Sequence, residues 1–114
     1  MRVDARNKDN GAVLHLSGKI IGDSVPQFKQ TIEDRLDSGA EWLILDLAEV
    51  PLMDSSALGT IVATFLTLRD KNGRLALLNA QKSILDVLAI TKLDSLFEVY
   101  NDMQVALRAV NPEI

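Results

Sequence analysis

Trp42-Leu43-Ile44-Leu45-Asp46-Leu47 is apolar at every position but Asp46. A strand with one wet face alternates apolar and polar residues, whereas a nearly continuous apolar run of this length fits a strand covered on both faces, as in an α/β sheet. The segment therefore predicts a central strand. Downstream, Ala48 to Met53 reads as a loop holding Pro51, and a helix runs from Ser55 or Ser56 to Asn72, with Gly73 as the residue that ends it. Arg74 to Leu78 follows as a second buried strand, Lys82 to Ile90 as a helix and Phe97 to Tyr100 as a short strand. Asp102 to Val110 is a last helix capped by Asn101. Upstream, Val25, Phe28, Ile32 and Leu36 recur at helical spacing until Gly39, after an Asp23-Ser24 cap and with Pro26 in the first turn. Before them, Val3 to Arg6 and Ala12 to Leu16 form a hairpin whose Asn10-Gly11 step supplies the positive-φ residues of the turn. The order is ββαβαβαβα. It predicts an α/β fold with a mixed, mostly parallel sheet, an N-terminal hairpin at one side and about four helices, all in a single domain spanning residues 1–114.

Composition narrows the chemistry. With 12 Lys+Arg against 16 Asp+Glu the net charge is −4, which argues against nucleic acid, because phosphate binding needs clustered cations. The chain has no cysteine and one histidine, His15, which excludes disulfides, thiol catalysis and any thiolate or multi-His metal centre. No metal or cofactor is expected. The N-terminus, MRVDARNKDNGAV, lacks the apolar region of a signal peptide, and no run approaches the ~20 apolar residues of a membrane span, so a cytoplasmic protein without membrane insertion is expected.

Chemistry concentrates in Asp54-Ser55-Ser56-Ala57-Leu58-Gly59, at the start of the predicted second helix. The first N–H groups of a helix lack intrahelical partners and that end is partially positive, so anions are stabilised there. Two readings fit. Asp54 or Ser55 is simply the N-cap, or a serine hydroxyl exposed here is a site where phosphate adds about −1.5 to −2 charges. Within the same helix Leu58, Ile61, Val62, Phe65 and Leu68 form the predicted core stripe, leaving Ser56, Thr60, Ala63 and Thr67 on the opposite side. No residue between Asp54 and Arg69 is ionisable, so this outer side is either a neutral partner face or a solvated helix that tolerates small residues. Pro51, Leu52 and Met53 border it, as contact residues or as core. Ser55, Asp54 and His15 suggest a hydrolytic set only on paper, since His15 alternates with strand residues. Gly-x-Ser-x-Gly, Walker and dinucleotide glycine motifs are absent, so no enzyme is expected. Trp42 reads as strand packing, and Lys29, Glu33, Asp34, Arg35 and Asp37 as a solvated helix face.

The run Leu45 to Gly59, LDLAEVPLMDSSALG, together with Gly73-Arg74-Leu75-Ala76-Leu77-Leu78 and Ile90-Thr91-Lys92-Leu93-Asp94-Ser95-Leu96-Phe97, resembles a STAS domain, the fold of sulfate transporters and anti-sigma factor antagonists. Stand-alone chains of this length in that family are typically bacterial anti-sigma factor antagonists. The resemblance implies a partner switch: the unphosphorylated domain binds an anti-sigma factor that is also a serine kinase, and phosphorylation releases it. It places the acceptor at Ser55, with the adjacent Ser56 as second candidate; the partner contacts expected from the uncharged helix side and its bordering loop are Pro51, Leu52, Met53, Asp54, Ser56, Thr60, Ala63 and Thr67. A serine phosphatase is a further implied partner. The sequence departs from the family pattern at Ala57, where glycine is common. It also places Asp23 later than the usual aspartate after Gly18, and has Lys92 where a glycine usually follows the third helix. The competing function is a STAS adaptor that uses the same surface without phosphorylation, as part of a transport or signalling assembly.

Overall fold

The computed structural model describes residues 1–112. Strands β1 (Arg2–Lys8) and β2 (Gly11–Ser17) pair antiparallel. There follow α1 (Val25–Asp37), β3 (Trp42–Glu49), α2 (Ser55–Asp70), β4 (Arg74–Leu78), α3 (Lys82–Ile90), β5 (Glu98–Tyr100) and α4 (Met103–Val110). The sheet order is β1-β2-β3-β4-β5, parallel from β2 onward, so β3 is the central strand. The apolar run in β3 is explained by its two faces. Leu43, Leu45 and Leu47 enter a large core beneath α1, α2 and α3, with Phe28, Ile32, Ile61, Leu68, Ile84 and Leu88. Trp42 and Ile44 point the other way, into a smaller core that α4 closes with Ala106, Leu107 and Val110. Each such side chain taken out of water contributes roughly 1.5–3 kcal/mol. Asp46 lies outside both cores, its Oδ2 2.8 Å from His15 Nδ1 and its Oδ1 accepting the Ala48 N–H at 3.1 Å.

Several local expectations shift. The hairpin turn falls on Asp9-Asn10, with Asp9 at φ 53°, and not on Asn10-Gly11. Gly11 already pairs with Lys8 inside the ladder and must be glycine for another reason: a Cβ there would collide with the Trp42 indole. Helix α2 stops at Asp70. Asn72 (φ 62°) makes the left-handed step, while Gly73 allows the backbone to press against the Glu41 carbonyl, donating its N–H to Leu68 O at 2.6 Å. Helix α4 is capped by Asp102, not Asn101: its carboxylate accepts from the N–H groups of Gln104 and Val105 at 2.8 and 3.1 Å. β5 begins at Glu98, where pairing with Ala76 of β4 starts, and Phe97 just before it is buried in the large core. Lys92 adopts the left-handed conformation itself (φ 61°), so the turn after α3 keeps its shape without glycine.

Candidate functional site

The site is built at the carboxyl ends of β2 and β3, where the chain leaves each strand to enter a helix. The two exits are laced together. Ile20 N–H donates to Leu52 O at 2.9 Å, Asp54 N–H donates to Ile20 O at 3.3 Å, and Ile20 and Met53 form an isolated parallel bridge. Val50 and Met53 are buried beneath this crossing, whereas Pro51 and Leu52 are exposed. Met53, expected as a partner contact, therefore packs downward: it is an anchor for the loop, since its apolar side chain belongs to the large core. With Leu52, Leu58, Ser83, Ile84 and Val87 it borders a shallow cleft between this loop and α3. The loop is fixed from the α3 side as well, Ser83 Oγ donating to Pro51 O and Gln81 Nε2 to Ala48 O, each at 2.9 Å.

Asp54 is the N-cap of α2. Its backbone is extended (φ −89°, ψ 178°), Oδ1 accepts the Ala57 N–H at 2.9 Å and Oδ2 accepts the Gly22 N–H at 2.9 Å. The N–H donors of Gly22 first and Ala57 second hold the carboxyl below its ordinary value, because they stabilise only the charged form. Ser55 is then the first residue of α2, exposed, at the positive end of a sixteen-residue helix. Ser56 is exposed beside it.

The uncharged side of α2 lies where the sequence places it. Ser56, Thr60, Ala63 and Thr67, with Gly59, form one wall of a groove of about 290 Å³ whose other wall is α1, through Lys29, Ile32, Glu33 and Leu36. Ala63 and Thr67 are exposed and Thr60 is half-buried. The buried side differs in detail: Ala57, Leu58, Ile61, Thr64 and Leu68 are buried, while Val62 and Phe65 are only half-buried. Thr64 tolerates burial because its hydroxyl donates to Thr60 O at 2.7 Å. Phe65 packs edge-on against Phe97, ring centroids 5.8 Å apart, and carries the Arg69 guanidinium over its face.

Two parts of this arrangement were not legible in the sequence. Gly22, whose amide reaches Asp54 across 32 positions, carries no local signal for a long-range bond, although its positive φ (51°) is the type of conformation that selects glycine. Lys29 and Glu33 read as solvated helix residues, and their pairing at 3.9 Å agrees, yet the packing of α1 beside α2 makes them the far wall of the groove. The Ser55, Asp54 and His15 set is not assembled. His15 is bonded to Asp46, and both Asp54 oxygens accept backbone N–H groups. Among the described residues no helix is long and apolar enough to cross a membrane, and no group of three or more His, Asp or Glu side chains is placed to hold a metal ion.

Comparison with known proteins gives a consistent answer. The model of the STAS domain matches residues 2–106. The anti-sigma-B factor antagonist of Bacillus subtilis is 27% identical over 99 residues, covering 87% of this chain and 90% of the relative. That of Listeria monocytogenes is 27% identical over 100 residues, covering 87% and 88%. A crystal structure of an anti-sigma factor antagonist from Mycobacterium paratuberculosis superposes with a TM-score of 0.85 at 25% identity, covering 96% of this chain and 92% of that one.

Proposed function

Given that the chain belongs to the STAS domain family, we propose that it is an anti-sigma factor antagonist, a binding protein and not an enzyme, whose partner is an anti-sigma factor that also acts as a serine kinase. The observation that carries this reading is the exposure of Ser55 at the amino end of α2, beside a helix face with no ionisable side chain. Unphosphorylated, that neutral face together with Pro51 and Leu52 docks on the partner and keeps it from its sigma factor. In the transfer step Ser55 Oγ bonds to the γ-phosphorus of ATP held by the kinase, the bond to ADP breaks, and the hydroxyl proton leaves with a base or solvent. Phosphoserine then places about −1.5 to −2 charges next to the Asp54 carboxylate and at the end of a helix side that carries no cation of its own from Ser55 to Leu68. Docking now requires desolvating or repelling that charge, and each 1.4 kcal/mol so lost is about tenfold in affinity. A serine phosphatase resets the switch. Ser56 is the second candidate acceptor, one residue along the same exposed turn.

The test is capture of the anti-sigma partner by wild type, Ser55→Ala and Ser55→Asp. Alanine is expected to retain the partner and aspartate to lose it by at least about tenfold. Equal recovery with all three would instead identify a constitutive adaptor that uses the surface without phosphorylation.

A further inference from the structure

We infer that Gly22 is a positioning residue for phosphorylation of Ser55: its backbone amide, aimed by a left-handed turn, clamps the second oxygen of Asp54 and so holds the first turn of α2 in the pose in which Ser55 meets a kinase. The inference rests on the reading of Ser55 as the acceptor. It goes beyond that reading by assigning a role to a residue from a different loop.

The geometry has three parts. Asp54 divides its carboxylate, Oδ1 to Ala57 N–H within α2 and Oδ2 to Gly22 N–H in the connection between β2 and α1, both at 2.9 Å. The aim of the Gly22 amide is itself fixed. Gly22 opens a single 3-10 turn, Gly22–Ser24, that Ser24 closes by accepting the Ile21 N–H on its hydroxyl at 2.9 Å and donating its own N–H to Ile21 O at 3.0 Å. Finally, Gly22 sits at φ +51° with nothing within 4 Å of the place a Cβ would occupy, so what restricts the residue there is backbone conformation and not crowding. An L-residue that disfavours the left-handed region turns the amide away from Asp54, whereas asparagine tolerates that region. This chain already uses asparagine there, at Asn72 and Asn79 with φ 62° and 57°.

The contrast between Gly22→Val and Gly22→Asn tests the role, because both add a side chain into open space and only valine opposes the turn. With the anti-sigma kinase and ATP, Gly22→Val is expected to lower kcat for phosphoryl transfer to Ser55 by at least about fivefold with KM within about twofold, and Gly22→Asn to restore it. A rise in KM alone would make the turn a contact, and an unchanged kcat would leave it no role; either overturns the inference. A second readout needs no kinase. Amide exchange at Ala57 and Leu58, whose N–H groups Asp54 accepts on its side chain and its carbonyl, is expected to quicken about tenfold in Gly22→Val and to stay at the wild-type rate in Gly22→Asn, with thermal melting confirming that both fold. Equal exchange in both variants overturns the clamp whatever the kinase does. Absence of phosphate on wild-type Ser55, with the exchange contrast intact, instead removes the acceptor reading and leaves Gly22 a structural clamp only, which also overturns the positioning role.

Discussion

Asp54 accepts from two N–H groups on opposite sides, Gly22 and Ala57, and only a carboxylate presents an acceptor to both. Asparagine would offer its single oxygen to one and turn its NH2 toward the other donor. The two donors lower the Asp54 pKa from its ordinary 3.8, so the folded chain releases the proton more readily than the unfolded one. A depressed folded value contributes stability that is present above the unfolded pKa and is lost as pH falls through the folded one. Wild type is therefore expected to exceed Asp54→Asn in urea midpoint above about pH 5, with the gap closing as pH drops below the ordinary carboxylate range. A gap independent of pH from 7 to 3 would show that the charge of Asp54 is not what the two amides stabilise. The choice of capping residue marks the limit of local reading. Spacing allows either Asp54 or Ser55 at one helix and favours Asn101 at another, yet in both the aspartate caps. Neighbouring Asx and Ser residues are all good caps; which one serves depends on which takes the extended backbone before the helix, and spacing does not encode that.

At the scale of elements, α2 carries both the core face and the proposed docking face, which is why its pattern misleads in part. Its buried positions include Ala57 and Thr64, small residues where the helix lies close on the sheet, while the bulkier Val62 and Phe65 shift to its flank, Phe65 toward Phe97. With no charge from Ser55 to Leu68 to mark the wet side, the apolar stripe alone locates the core face only to within part of a turn. The outer stripe was nonetheless legible, because Ser56, Thr60, Ala63 and Thr67 share it whichever neighbour is buried. Ala63 is exposed and lines the groove toward α1. Ala63→Glu should thus leave the melting temperature within about 3 °C of wild type, since exposed substitutions change stability by only about 0.5 kcal/mol. The same change should cut capture of the anti-sigma partner at least about tenfold by placing a charge in the contact. Unchanged capture would move the docking surface off this face of α2.

On the whole-molecule scale, the apolar run of β3 announced a sheet covered on both sides, but not how the cover is shared. The division into α1, α2 and α3 on one face and α4 alone on the other is a property of the connections, and no single segment states it. That division matters for the proposed switch. The cores are closed by side chains such as Leu45, Ile61 and Leu88 on one face and Trp42 and Leu107 on the other, while Ser55 stands exposed at the rim, with Asp54 linking it to the turn before α1. Charge at Ser55 should accordingly be felt by a partner and scarcely by the fold. An acid at the first helical position gains about 0.3–1 kcal/mol from the helix dipole, and the charge of the neighbouring Asp54 opposes part of that gain. The net change for Ser55→Asp is expected within about 0.5 kcal/mol, so its urea unfolding curve should overlay that of wild type in midpoint and slope even where partner capture is lost. A lowered midpoint or a broadened transition would mean that aspartate disturbs the fold itself, and failure to bind would then report misfolding in place of a switch.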